Sequence, residues 1–201
     1  MAAGPASTRK PRRFIFVLLP QFSLLAFASA LEAMRLANRV AQRDVYTWQL
    51  VGDGGGHATC SAGTAFALDS DLPELHRDDT IILCGGLAIQ HAANRRLLNW
   101  LRREARRVHA VGGLCTAAHV MAQAGLLEDR RATIHWENHD SFAEEFLEVD
   151  LSKAVYTIDG ARYTTAGGTA SIDLMLRLIA QDAGDEVASA VADRKSTRLN
   201  S

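Results

Sequence analysis

One thiol in this chain is spelled for reactivity. Cys115 lies in Val111-Gly-Gly-Leu-Cys-Thr-Ala-Ala-His119, between an apolar run and a helical pattern. The spelling Gly113-x-Cys115-x-Ala117 is that of a nucleophile elbow, a sharp strand-to-helix turn whose small flanks hold one side chain clear of a sheet. At a helix start the sulfur faces free amides and the positive end of the helix dipole, which favours thiolate. With a histidine as base, such a thiol is a nucleophile. His135, in His135-Trp136-Glu137, is the candidate base. His119 shares a helical face with Cys115, but helix geometry carries its ring back over the helix, so a packing or surface role is expected. His135 and His139 stand at i, i+4, a spacing seen in metal sites. With no further clear ligand, neither metal nor cofactor is expected.

Other residues offer binding chemistry. Gly85 and Gly86 end an apolar run, where exposed amides can approach a ligand closely. With the Thr116 amide they would form a hole for an oxyanion or a carboxylate. A plain strand-ending turn explains the glycines equally well. Trp136 beside Glu137 pairs an aromatic face with a carboxylate, a combination suited to a soft cation. Taken alone, Trp136 reads as core packing and Glu137 as a solvated cap. The candidate ligand set is Gly85, Gly86, Cys115, Thr116, His135, Trp136 and Glu137.

Strands and helices alternate around these residues. Apolar, β-rich runs at 14–19, 45–51, 79–84 and 108–111 read as strands, the first buried on both faces and the third central. Helical patterns cover 24–39, capped by Ser23, then 90–106, 116–124 stopping at Gly125, 137–147, and a last helix from Thr169. Short extended pieces are expected over 59–68, and a hairpin about Asp159-Gly160. The order argues for an α/β fold: a doubly wound, mostly parallel sheet with helices on both faces, with ligands at the carboxyl ends of the strands.

Composition is that of an ordinary globular chain, 48% hydrophobic and 22% charged over 201 residues, enough for one well-buried domain. A net charge of −1 gives no basic footprint for nucleic acid. Cys60, Cys84 and Cys115 form no spaced framework, so a reducing, cytoplasmic setting is expected. Lys10, Arg12, Arg13 and the run 14–19 have the look of a secretory signal, but Pro20-Gln21-Phe22-Ser23 interrupts it, and strand-turn-helix is the simpler reading. No run approaches the roughly 20 apolar residues that span a membrane.

Together, Cys84-Gly-Gly86, Cys115-Thr-Ala-Ala, Ala124-Gly-Leu-Leu127, Ala132-Thr-Ile-His-Trp136 and Thr165-Ala-Gly-Gly-Thr169 resemble the ThiJ/PfpI class of glutamine-amidotransferase-like domains over about residues 13–183. The resemblance implies a flavodoxin-like sheet. The His-Trp-Glu and Ala-Gly-Gly-Thr-Ala-Ser-Ile-Asp-Leu-Met spellings are similar to the GlxA-like branch of AraC-type regulators, and within it to regulators of glycine betaine, carnitine and choline catabolism. That implies a sensor for a small zwitterion, a homodimer, and DNA binding only through a later helix-turn-helix domain. Family enzymes carry an acidic residue in the first helix turn, where this chain has Ala26, and PfpI-type proteases follow the cysteine with histidine, where it has Thr116. A sensor is therefore expected over a cysteine-dependent hydrolase or amidase. Residues 1–12 read as a disordered lead and 184–192 as the start of a linker. The last nine, Asp193-Arg-Lys-Ser-Thr-Arg-Leu-Asn-Ser201, resemble translated sequencing-adapter read-through.

Overall fold

A computed structural model describes residues 10–195. In chain order the elements are β1 (Arg12–Leu18), α1 (Leu24–Ala41), β2 (Tyr46–Val51), β3 (His57–Thr59), β4 (Ala65–Ala67), β5 (Thr80–Cys84), α2 (Arg95–Glu104), β6 (Ala110–Leu114), α3 (Ala118–Gln123), β7 (Arg131–Ala132), α4 (His139–Glu145), β8 (Asp150–Leu151), β9 (Tyr156–Asp159), β10 (Arg162–Thr165), α5 (Ala170–Ala183) and α6 (Asp185–Lys195). Six strands form one sheet in the order β2-β1-β5-β6-β10-β9. Every neighbouring pair is parallel except β9 with β10, an antiparallel edge hairpin. This is the doubly wound, flavodoxin-like architecture.

The continuous apolar run of β1 follows from burial on both faces. Phe14, Phe16 and Leu18 pack with Phe27, Met34, Leu174 and Leu178 on the side of α1 and α5. Ile15, Val17 and Leu19 pack with Leu97, Trp100, Leu101 and Val120 on the side of α2 and α3. Burying each such side chain contributes about 1.5–3 kcal/mol, so both helical layers are held by the same strand.

Some boundaries differ from the sequence reading. The stretch 90–106 is not one helix: a 3-10 turn at Ile89–His91 ends in Ala92, and α2 restarts at Asn94, whose side chain accepts from the Leu97 amide at 3.0 Å. Residues 185–192, expected to start a linker, are helical and form most of α6, with Val191 buried against the core. Asp193–Lys195 close that helix, and the remainder of the expected foreign tail lies outside the described residues, as does most of the 1–12 lead. Arg12 itself opens β1. Among the described residues no helix is long and apolar enough to cross a membrane.

Candidate functional site

The site sits where β5 and β6 end side by side. Their register pairs Cys84 with Leu114, so Gly85-Gly86 and Cys115-Thr116 leave the sheet together. Cys115 is a non-glycine residue at φ +61°, in the sparsely populated left-handed region. That is the strained turn expected of an elbow, here followed by a 3-10 turn at Cys115–Ala117 and then α3.

Tight glycine packing holds the elbow. A Cβ on Gly85 would lie 2.5 Å from the Ala117 nitrogen, and one on Gly86 2.0 Å from the Gln21 carbonyl oxygen. A Cβ on Gly167 would lie 2.9 Å from the Cys115 sulfur. The Thr116 hydroxyl donates to the Gly86 carbonyl at 2.8 Å. Thr165 ties the third strand in: its hydroxyl oxygen accepts from the amides of Cys115 (3.4 Å) and Gly167 (3.3 Å).

Hydrogen bonding decides which amides are free. The Gly85 amide donates to the Leu114 carbonyl at 3.2 Å, and the Gly85 carbonyl accepts from the Ser23 amide at 2.9 Å. Gly85 therefore drops out of the expected amide hole and serves by close packing. Among the described residues the Gly86 amide has no hydrogen-bond acceptor, while the Thr116 amide points at the Cys115 sulfur.

Burial pushes the Cys115 thiol above its ordinary pKa. The Thr116 amide opposes that shift, the nearby Glu137 charge reinforces it, and the Ser23 hydroxyl opposes it more weakly. The helix-start stabilisation expected from the sequence is thus outweighed by burial, with Cys115 only 7% exposed.

Across this frame the whole matches known proteins. A family model described as the DJ-1/PfpI family matches residues 13–181. The chain belongs to the DJ-1/PfpI family. The HTH-type transcriptional regulator CdhR of Pseudomonas aeruginosa is 41% identical over 181 residues, which is 90% of this chain and 54% of that protein. The HTH-type transcriptional regulator GbdR of the same species is 34% identical over 189 residues, 94% of this chain and 52% of the regulator. A crystal structure of an AraC family transcriptional regulator from Pseudomonas putida superposes with a TM-score of 0.84 at 27% identity, covering 92% of this chain and all of that one. The chain spans about half the length of the curated relatives it matches.

Within this DJ-1/PfpI domain the expected site residues meet unevenly. The His135 ring makes no hydrogen bond to the Cys115 sulfur among the described residues; its Nδ1 lies 3.8 Å from Glu137 Oε2. Trp136 is not core packing, since it is 74% exposed, beside the His135 ring. His119 is buried edge-on to Phe142 and Phe146, the packing role expected of it. His139 has its Nδ1 3.7 Å from Asp140 and a buried, unpartnered Nε2. Among the described residues no group of three His, Cys, Asp or Glu side chains is placed to hold a metal.

Two participants escaped the sequence reading. Ala26 is buried in the same apolar cluster as Cys115, and from this segment the side chain that hydrogen-bonds the sulfur is Ser23. Ser23 was legible only as a helix cap, which it also is, accepting from the Ala26 amide at 3.3 Å. Thr165 could be found only as part of the Thr-Ala-Gly-Gly-Thr spelling.

Proposed function

We propose that this DJ-1/PfpI domain is the effector-sensing half of an AraC-type transcriptional regulator, acting as a cytoplasmic homodimer that reaches DNA through a helix-turn-helix domain outside this sequence. One observation carries the reading: a nucleophile elbow holds a buried thiol whose pKa is raised, with the Ser23 hydroxyl beside it and the nearby Glu137 charge disfavouring the thiolate. An elbow without an activated nucleophile still offers the uncommitted Gly86 amide for recognition. Similarity to HTH-type regulators over 90% of the chain supports the same conclusion.

The effector we assign is a small quaternary-ammonium or amine metabolite bearing a carboxylate, of betaine or carnitine type. The unpaired Gly86 amide suits the carboxylate. The exposed face of Trp136, with the charge of Glu137 nearby, suits the cation. Cys115 and His135 complete the lining. A cysteine-dependent hydrolase or amidase of the same family is the second reading, favoured by the strained φ of +61° that Cys115 retains.

The test is calorimetric titration of glycine betaine, dimethylglycine and carnitine into the protein and its Cys115→Ala variant. Saturable binding of at least one, little changed in the variant, is the expected result. If none binds, the effector assignment fails.

A further inference from the structure

At the opposite edge of the sheet from Cys115, where β6 and β10 begin, lies a cavity of about 410 Å³. Arg102, Arg106, Gln123, Glu128 and Arg162 line it. Three guanidiniums against one carboxylate leave two positive charges in excess there.

Along the same stretch of chain other arginines are neutralised: Arg96 by Asp53 and Asp71, Arg103 by Glu104, Arg107 by Glu74. Among the described residues neither Arg102, Arg106 nor Arg162 is paired with a carboxylate.

Two of the three are fixed by backbone. Arg102 donates to the Gln123 carbonyl at 2.8 Å and the Ala124 carbonyl at 3.3 Å. Arg162 donates to the Leu126 carbonyl at 3.2 Å and the Ala161 carbonyl at 3.1 Å through Nε and Nη1, which leaves its Nη2 uncommitted. The Arg102 bonds cap the carbonyl end of α3, and both sets hold the cations in place. Arg106 is exposed and makes no hydrogen bond or ion pair among the described residues. Burial and the charge of Arg130 both disfavour the Arg162 cation, so an incoming anion relieves it. In the same wall, Gln123 Oε1 is buried with no donor.

We propose that this cavity binds a phosphoryl group, as free hydrogen phosphate or as the phosphomonoester of a small metabolite. Phosphate oxygens accept from guanidinium forks, and an anchored guanidinium loses little freedom on binding. Hydrogen phosphate also brings a proton to donate, and a turn of the Gln123 side chain toward the cavity would give its Oε1 the donor it lacks. The volume is in the range of small-molecule pockets, leaving room for an ester's organic part.

The experiment is calorimetric titration at low ionic strength and neutral pH with inorganic phosphate, glycerol 3-phosphate and sulfate. One saturable site is expected for a phosphoryl compound; tighter glycerol 3-phosphate identifies an ester, tighter phosphate the free ion. Sulfate, with no proton to offer, is expected to bind several-fold more weakly. Arg106→Ala, which removes no side-chain hydrogen bond or ion pair among the described residues, is expected to weaken binding about tenfold, the loss of one charge-assisted hydrogen bond. Arg162→Gln provides a second variant, its fold checked by thermal melting. Absence of saturable binding, equal affinity for sulfate, or unchanged affinity in Arg106→Ala overturns the proposal. None of these outcomes bears on the betaine titration, which probes the other edge of the sheet.

Discussion

His135 meets Cys115 through its backbone: the His135 amide donates to the Cys115 carbonyl oxygen at 3.3 Å. Its imidazole instead stands beside Trp136, ring centroids 5.8 Å apart, with Nδ1 facing Glu137. A general base must reach the proton it removes. Here the histidine braces the elbow through its backbone while its ring lies beside Trp136 and Glu137.

Turnover should therefore not depend on the thiol. Peptides, amides and dicarbonyls incubated with the protein are expected to react at the background rate, identically for wild type and Cys115→Ser. Steady turnover that vanishes in the variant would replace the sensor reading with the hydrolase one.

Titration of the thiol gives a sharper check. Iodoacetamide alkylation of Cys115 should rise with pH around a midpoint above the ordinary cysteine value of about 8.5. Because the Glu137 charge contributes to the rise, Glu137→Gln should lower that midpoint, whereas Ser23→Ala should raise it. The linkage has a definite sign. The folded state holds its proton to higher pH than the unfolded state, so this stability is complete below about pH 8.5 and falls as pH climbs through the folded pKa. A thiolate already formed at pH 7 would contradict this account.

Trp136 is the residue on which the cation assignment depends. A cation–π contact at an exposed ring contributes about 0.5–1 kcal/mol, or roughly two- to fivefold in affinity. Trp136→Ala should weaken betaine-type binding by roughly that factor, read by calorimetry. Because the side chain is 74% exposed, folding stability should barely change. Equal affinity in the variant would remove Trp136 from the site.

Gly167 should tolerate no side chain. Its φ of +89° opposes one, and an added methyl would come within 2.9 Å of the Cys115 Cα, Cβ and sulfur. Gly167→Ala is expected to cost about 1–3 kcal/mol in denaturant unfolding, through backbone strain and overpacking. A stability equal to wild type would mean that the 165–169 turn does not clamp the elbow.

The sequence by itself determined the architecture and the place of the site. Local periodicity gave β1, β5 and their helices, because a strand buried on both faces must be apolar throughout, as Phe14–Leu18 is. The Gly-x-Cys-x-Ala spelling located the elbow, because small flanks are a local steric need. Tertiary structure decided what the elbow can do. Gly85 loses its amide to Leu114, a carbonyl on the neighbouring strand. Ser23 reaches Cys115 across 92 positions of chain, Thr165 across 50, and no local pattern encodes either meeting. The charge state of the sulfur was likewise out of reach. The helix start favours thiolate and burial opposes it, and burial is set by segments as distant as the Gly167 turn packed over Cys115.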